Sequence, residues 1–346
     1  MNGAALARSF YTDLVAPLLP GLPHAAARLG SGSDVLGLDD ETSRDHDWGC
    51  RLTLLVDDPD AAAGLRHLLE RELPETYRGH PVRFPVTWDP EPTHNVEVAT
   101  VRDFAAGRLG VDPLALTPLD WLVIPGQNVL EVTGGPVFVD RTETLAPVRA
   151  ALRWYPPDIE RYVLASGWQR LSQWMPMAGR TADRGDDLGS RLLYGRIAAD
   201  LMRLAFLLSR AWPPYDKWRG SLFRELPIAA DLRLDPILTA PTWREREDAV
   251  AAAAATLLAV QRERLPTPVS VPTPVSVLAP FWDRPYRTID EAVWRTLHAS
   301  IDDPAVGRLP VGVGSIEQWV DNVDILMHPI RRRALQSAYR TWLTAP

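Results

Sequence analysis

The sequence predicts an α+β protein: a mixed sheet with helices up to about residue 145, followed by a helical bundle. Three observations lead there. Apolar residues alternate with period two in PVRFPVTW (81–88), NVEVATVRDF (95–104) and PVFVD (136–140), the spacing of half-buried strands. From about residue 147 the text becomes helical, through DIERYVLASGWQRLSQW, DLGSRLLYGRIAADLMRLAFLLSRAW and REREDAVAAAAATLLAVQRER. The tandem hexapeptide PTPVSVPTPVSV (266–277) interrupts that text, and its prolines forbid helix and central strand. The expected units are therefore 1–145 and 146–346, with a Pro-rich connector at 266–277 in the second.

Each element has its own signal. Residues 3–19 place Leu6, Phe10, Leu14 and Leu18 on one helical face, and Pro20, Gly21 and Pro23 end the run. HAAARLG (24–30) is short enough for a strand that enters the turn GSGS. RLTLLVDD (51–58), bounded by charges and Pro59, suits a buried strand. DAAAGLRHLLEREL (60–73) reads as a helix with Asp60 as its N-cap. Gly134-Gly135 marks a turn before PVFVD. In the second half, DLGSRLLYGRIAADLMRLAFLLSRAW is apolar over much of its circumference and belongs at the bundle's centre, stopped by Pro213-Pro214. Asp186 and Asp187 stand where they would cap it, beside Arg180, Arg184 and Arg191. A closing helical segment is expected from about 315 onward.

The chain's 346 residues suffice for two cores, and its net charge of −7 argues against a broad nucleic-acid footprint. A single cysteine, Cys50, excludes an intrachain disulfide and a Cys-cluster metal site. The opening MNGAALARSFYTDLVAPLLP lacks a basic n-region and a long apolar core, so it reads as an amphipathic helix rather than a signal peptide. No stretch approaches the roughly 18 apolar residues of a membrane span. The cytoplasm is the default expectation.

Chemistry concentrates in GSGSDVLGLDDETSRDHDWG (30–49). Asp45 and Asp47 flank His46, and in an extended chain both carboxylates would project from one face. Two such groups repel unless a cation lies between them, and Mg²⁺ favours one or two carboxylates with phosphate oxygens and water. The turn at Gly32-Ser33 supplies the complement. Glycine lets the backbone approach a phosphate, and the turn's N–H groups and hydroxyl can bond to it. Asp34, Asp39, Asp40 and Glu41 read as mostly solvated, and Arg44 stands where it would offset the Asp pair or touch a phosphate. No GxxxxGK[ST] loop or kinase signature is present. The histidines lack metal-ligand spacing.

A hydrophobic-Gly-Ser, a spacer of about a dozen residues and then Asp-x-Asp resembles the nucleotidyltransferase fold shared by DNA polymerase beta and the aminoglycoside nucleotidyltransferases. Over nearly the whole chain the sequence also resembles the bacterial family called domain of unknown function 4037. The resemblance is carried by GSGSDVLGLDDETSRDHDWG, DWLVIP with VTGGPVFVD, GWQRLSQ, GDDLGSRL, DLMRLAFLL, PYDKW, DRPY and GSIEQW. It implies an N-terminal nucleotidyltransferase-fold unit and a helical unit that closes over its cleft. It also implies a third carboxylate on a later strand, for which Glu97 in NVEVATV is the candidate and Asp103 the fallback. That fold often uses Asp there, so Glu97 is a departure. Lys217 and Trp218 in PYDKW would meet triphosphate charge and a base.

The implied activity is transfer of a nucleoside monophosphate from an NTP to a hydroxyl or amine of a small-molecule acceptor, with release of pyrophosphate. Asp45, Asp47 and Glu97 would hold one or two Mg²⁺ ions, or Mn²⁺. Gly32 and Ser33 would bind the phosphates, with Arg44, Lys217 and Trp218 completing the nucleotide site. A protein acceptor stays open, and neither a polynucleotide nor a membrane partner is expected. The alternative is a nucleotide-binding or regulatory module that keeps the fold without turnover.

Overall fold

The apolar run at 51–58 forms strand β2 (Leu52–Val56), which follows the three-residue β1 (Ala25–Ala27). All five residues of β2 are buried, so both of its faces are covered. A computed structural model describes residues 2–44, 47–87, 89–265 and 276–344. Two short ladders, β3 (Thr76–Tyr77) with β4 (His80–Pro81) and β5 (Arg83–Val86) with β6 (Asp89–His94), lead to β7 (Val96–Thr100). With β8 (Val137–Asp140) the main sheet has the order β7-β2-β1-β8, where β2 and β7 are parallel and the other pairs antiparallel. The parallel register sets Glu97 beside Thr53, on the face opposite buried Val96 and Val98.

Helix α1 (Gly3–Phe10) is shorter than the periodicity of 3–19 suggests. The backbone widens to a π turn over Tyr11–Val15 and tightens to a 3₁₀ turn over Ala16–Leu18. Pro17 has no N–H for the α-helical ladder, so the apolar face continues while the helix type changes. Leu6, Phe10 and Val15 are fully buried against Leu54, Val56 and Leu69, and Leu14 and Leu18 pack at the margin of that core. In α2 (Pro59–Glu72) the cap is Asp58, not Asp60: its carboxylate accepts from Asp60 N (3.4 Å) and Ala61 N (3.1 Å). Proline's fixed φ suits the first helical position, which moves the cap two residues upstream. The text after Thr100 is likewise helical. Thr100 Oγ1 accepts from Asp103 N at 3.0 Å and starts α3 (Val101–Leu109).

Further along come α4 (Pro118–Leu122), α5 (Gly126–Thr133) and α6 (Leu145–Ala151). The chain resolves into two units, Met1–Leu116 with Asn128–Arg153, and Thr117–Gln127 with Trp154–Pro346. This differs from a single divide at 145. Trp121 stacks on Trp212 with centroids 6.2 Å apart and meets Tyr155 edge-on, which ties the 117–127 segment to the helical unit. Arg149 donates to the Thr133 carbonyl, and Leu145 and Val148 are buried, which keeps α6 with the sheet unit.

The helical unit is built on α7 (Pro157–Asp183), α8 (Asp187–Ser209) and α11 (Trp243–Arg264), with the short α9 (Asp216–Arg224) and α10 (Asp235–Thr239) between the last two. As expected, α8 is the buried centre: Tyr194, Ile197, Leu201 and Leu204 are at most 1% exposed. Gly167 of α7 lies against the Leu204 side chain, where a Cβ would approach to 2.7 Å. Trp168 Nε1 donates to Gln261 Oε1 at 2.6 Å, satisfying both groups between α7 and α11. Most of the PTPVSVPTPVSV repeat lies outside the described residues.

Two measurements check this account. Asp58→Ala should lower the stability of the sheet unit by about 1 kcal/mol while Asp60→Ala has little effect, read from urea unfolding. His24 gives the second. Its Nδ1 lies 2.8 Å from Leu22 O and its Nε2 2.9 Å from the Tyr11 hydroxyl. Burial lowers its pKa from the ordinary 6.5. The unfolded chain therefore gains a proton first as pH falls, so this stabilisation is complete above pH 6.5 and is lost below it towards the lowered folded value. The urea midpoint should drop between about pH 7.5 and about pH 5.5, and His24→Gln should make that drop smaller.

Candidate active site around the glycine-serine turn

Strand β1 delivers Arg28 and Leu29 directly into Gly30-Ser31-Gly32-Ser33. Arg28 is 2% exposed and uses its whole guanidinium. It donates from Nε to Asp34 Oδ2 (2.6 Å), from Nη2 to Asp34 Oδ1 (2.8 Å), from Nη1 to Leu29 O (2.5 Å) and from Nη2 to Ser31 O (2.8 Å). The turn is thus wound around an internal cation. Gly32 sits at φ +138°, and a Cβ there would stand 2.3 Å from Asp34 Oδ1 and 2.5 Å from Arg28 Nη2. Only glycine fits. Leu29 N donates to Thr53 Oγ1 (3.2 Å) and Gly30 N to Glu131 O (2.8 Å), which anchors the turn to β2 and α5.

Two further arginines border the turn. Arg51, just before β2, donates from Nη2 to Ser31 Oγ (3.2 Å) and from Nη1 to the Asp47 carbonyl (3.3 Å). Burial, then the neighbouring Arg28, lowers its pKa to about 10; Asp34, Asp47 and Glu97 oppose that. It stays charged at neutral pH. Arg108 of α3 lies beside Gly30, with Nη2 3.2 Å from the position a Cβ would take there. It holds Glu97 in a two-pronged pair, each bond 2.6 Å, with Glu131 3.9 Å away and the Phe104 ring beneath.

The expected site residues distribute as follows. Gly32, Ser33 and Glu97 come together with Arg28, Arg51 and Arg108, alongside Gly30 and Ser31 of the same turn. Asp47 is not in an extended strand: it lies in a bend with φ +54°, and β2 begins only at Leu52. Its carboxylate accepts from Thr87 N and Thr87 Oγ1, both at 2.6 Å. Asp45 and His46 lie outside the described residues, so the expectation that Asp45 projects alongside Asp47 falls there too. Asp103, the fallback carboxylate, is an exposed residue in the first turn of α3 rather than at a strand's end. Asp34, read as mostly solvated, is buried as the partner of Arg28. Arg44 lies over the Trp48 ring, 5.0 Å from its centroid. Cys50 is buried with its thiol pushed up to about 12, which removes it as a nucleophile.

Both oxygens of Glu97 are engaged by Arg108, and both oxygens of Asp47 by Thr87. Among the described residues no group of three or more His, Cys, Asp or Glu side chains could hold a metal ion. As they stand, both carboxylates are occupied by donors of the protein itself.

In the helical unit, Lys217 is exposed on α9 with Nζ 4.8 Å from the Trp218 ring centroid. Asp186 caps α8 by accepting from Gly189 N (2.7 Å), and Asp187 pairs with Arg191 and Arg246, each about one hydrogen bond away. Arg180 and Arg184 are exposed. The residues that the sequence reading missed are Arg28, Arg51 and Arg108. Arg28 and Arg51 directly flank β1 and β2, whereas Arg108 lies in the last turn of α3 and gives no local signal.

A mixed sheet that carries a glycine-rich turn bordered by arginines, together with a helical bundle, defines an α+β protein. Residues 121–219 match the family described as Domain of unknown function (DUF4037), and the resemblance drawn from the sequence blocks is borne out over that stretch. The matched stretch lies downstream of the glycine-serine turn. A nucleotidyltransferase-like protein from Exiguobacterium sibiricum 255-15 is similar in structure, at 15% identity over 76% of this chain and 81% of that one, with a TM-score of 0.31. No curated protein matches the chain. Among the described residues no helix is long and apolar enough to cross a membrane.

The buried Arg28–Asp34 pair gives a direct test. Asp34→Ala leaves a buried guanidinium without its counter-ion and should destabilise the sheet unit by about 3–5 kcal/mol in denaturant unfolding. The double replacement Arg28→Met with Asp34→Leu should recover a substantial part of that loss.

Proposed function

We propose that the sheet unit binds the polyphosphate of a nucleoside triphosphate at Gly30–Ser33 and transfers the nucleoside monophosphate to a hydroxyl or amine of a small-molecule acceptor, releasing pyrophosphate. One observation carries this reading: the turn is fixed around Arg28 while Arg51 and Arg108 flank it. A polyphosphate laid along that turn meets two guanidiniums and a backbone that no side chain at Gly32 obstructs. Arg108 would exchange Glu97 for two non-bridging oxygens of a tetrahedral phosphoryl group, which can accept a guanidinium's paired N–H groups as a carboxylate does. Glu97 released in this way, with Asp45 and Asp47, is the set that would hold Mg²⁺ or Mn²⁺. Such an ion would neutralise phosphate charge. Catalysis would rest on positioning and charge compensation rather than on a covalent nucleophile. Arg44 remains a candidate for a further nucleotide contact within the sheet unit.

A second reading has its own observation. Glu97 and Asp47 are each held by both oxygens, which suits a module that binds nucleotide without turning it over.

Binding of each of the four common triphosphates, measured calorimetrically with Mg²⁺, tests the first part. Arg51→Met and Arg108→Gln should each weaken affinity about tenfold or more, the loss of one charge-assisted contact. Unchanged affinity in both would remove the turn as the phosphate site. Pyrophosphate release with a metabolite pool tests the second part. Glu97→Gln, which frees Arg108, should bind nucleotide at least as tightly as the parent yet lose release. Asp45→Asn with Asp47→Asn should also abolish release. Binding with no release by the parent protein would select the regulatory module.

A further inference from the structure

Glycines from three separate stretches of the chain close on the Arg28–Asp34 pair. Gly32 does so from within the turn. Gly135 does so from the connection between α5 and β8: a Cβ there would run into the Arg28 carbonyl oxygen, and its N–H donates to Val35 O at 3.0 Å. The third is Gly3, the first residue of α1. Its φ is not positive, so the backbone there admits any residue, and within a helix alanine is ordinarily favoured over glycine. The obstacle is Asp34. A Cβ on Gly3 would lie 2.7 Å from both Asp34 Cβ and Asp34 Oδ2. Rotating the aspartate side chain does not move its own Cβ, and both of its oxygens are held by Arg28.

The same end of α1 also bonds to the chain beyond the turn. Gly3 N donates to Asp39 Oδ2 at 2.6 Å. Helix α1 has no acidic residue in its own first turn, so Asp34 and Asp39 supply the negative charge that a helix N-terminus favours. One helix end therefore meets both ends of the 34–39 segment, by packing at Asp34 and by a hydrogen bond at Asp39. Asp34 passes that contact to Arg28, whose guanidinium takes the carbonyls of Leu29 and Ser31. We propose that Gly3 is a positioning residue for the glycine-serine turn: α1 docks on Asp34 and Asp39 through it, and so holds Arg28 and Gly30–Ser33 in the shape that a polyphosphate meets. The effect on a ligand rests on the triphosphate reading given above, whereas the hold on Arg28 does not.

Nitrogen-15 NMR on the full chain with labelled arginine tests it by following the Arg28 Nε–H, assigned by its loss in the Arg28→Met, Asp34→Leu double variant. Gly3→Ala should shift that resonance and speed its exchange with solvent about tenfold or more, against the helix preference for alanine. Asp39→Ala, which removes the acceptor of Gly3 N, should move it in the same sense by less. Leu6→Ala, at a fully buried position of the same helix, should lower stability and leave the shift where it is. Calorimetry with the four common triphosphates and Mg²⁺ gives the second readout. Affinity should fall about fivefold or more in Gly3→Ala and hold in Leu6→Ala. A resonance unmoved by Gly3→Ala, or moved as far by Leu6→Ala, overturns the proposal, and so does a moved resonance with unchanged affinity. Where the parent binds no triphosphate, the nucleotide reading fails by itself and the Arg28 resonance alone decides the role of Gly3. Where Gly3→Ala does not fold, Asp39→Ala carries both readouts with the same outcomes.

Discussion

The sheet unit's candidate site depends on one buried ion pair. Arg28 and Asp34 are six residues apart, and closing that distance into a bidentate contact forces the chain between them to turn back on itself. The guanidinium then takes the carbonyls of Leu29 and Ser31, and it leaves Gly32 no room for a side chain. A buried pair contributes little net stability against the cost of desolvating two ions. Its effect here is conformational: it selects one shape for a segment whose glycines would otherwise permit many.

Around that fixed turn, charge is balanced in a way that a polyphosphate would disturb. Arg51 is a half-buried cation next to another cation, and Arg108 is neutralised by Glu97. The same bonds that satisfy Arg108 occupy both oxygens of the carboxylate expected to complete a metal site. In the proposed reading, phosphate binding and carboxylate release would be coupled through this one side chain. Thr87 restrains Asp47 in a comparable way, although its neutral donors hold a carboxylate less tightly than a guanidinium does.

The helical unit shows a different kind of convergence. Four of the blocks on which the family resemblance was drawn meet at a single cavity: DWLVIP through Pro125, DLMRLAFLL through Arg203, PYDKW through Tyr215 and Asp216, and GSIEQW through Glu317. In PYDKW the lysine that drew attention in the sequence is exposed, whereas Tyr215 and Asp216 line the cavity. The residue with the most obvious charge was not the one the fold placed at the cavity.

Periodicity and punctuation determined much of the architecture before any coordinates. The buried run RLTLLV became a central strand, the apolar DLGSRLLYGRIAADLMRLAFLLSRAW became the core helix, and the glycine-serine repeat became a tight turn, because hydrophobic spacing and glycine freedom act locally. Tertiary structure decided what local rules do not contain. Asp58 rather than Asp60 caps α2, Asp47 turns onto Thr87, and the 117–127 segment joins the helical unit through the Trp121–Trp212 stack. The arginines Arg28, Arg51 and Arg108 look like ordinary surface charges in the sequence. Burial and the packing of β1, β2 and α3 around one turn make them a site, since Coulombic coupling depends on distance in space and not on separation along the chain.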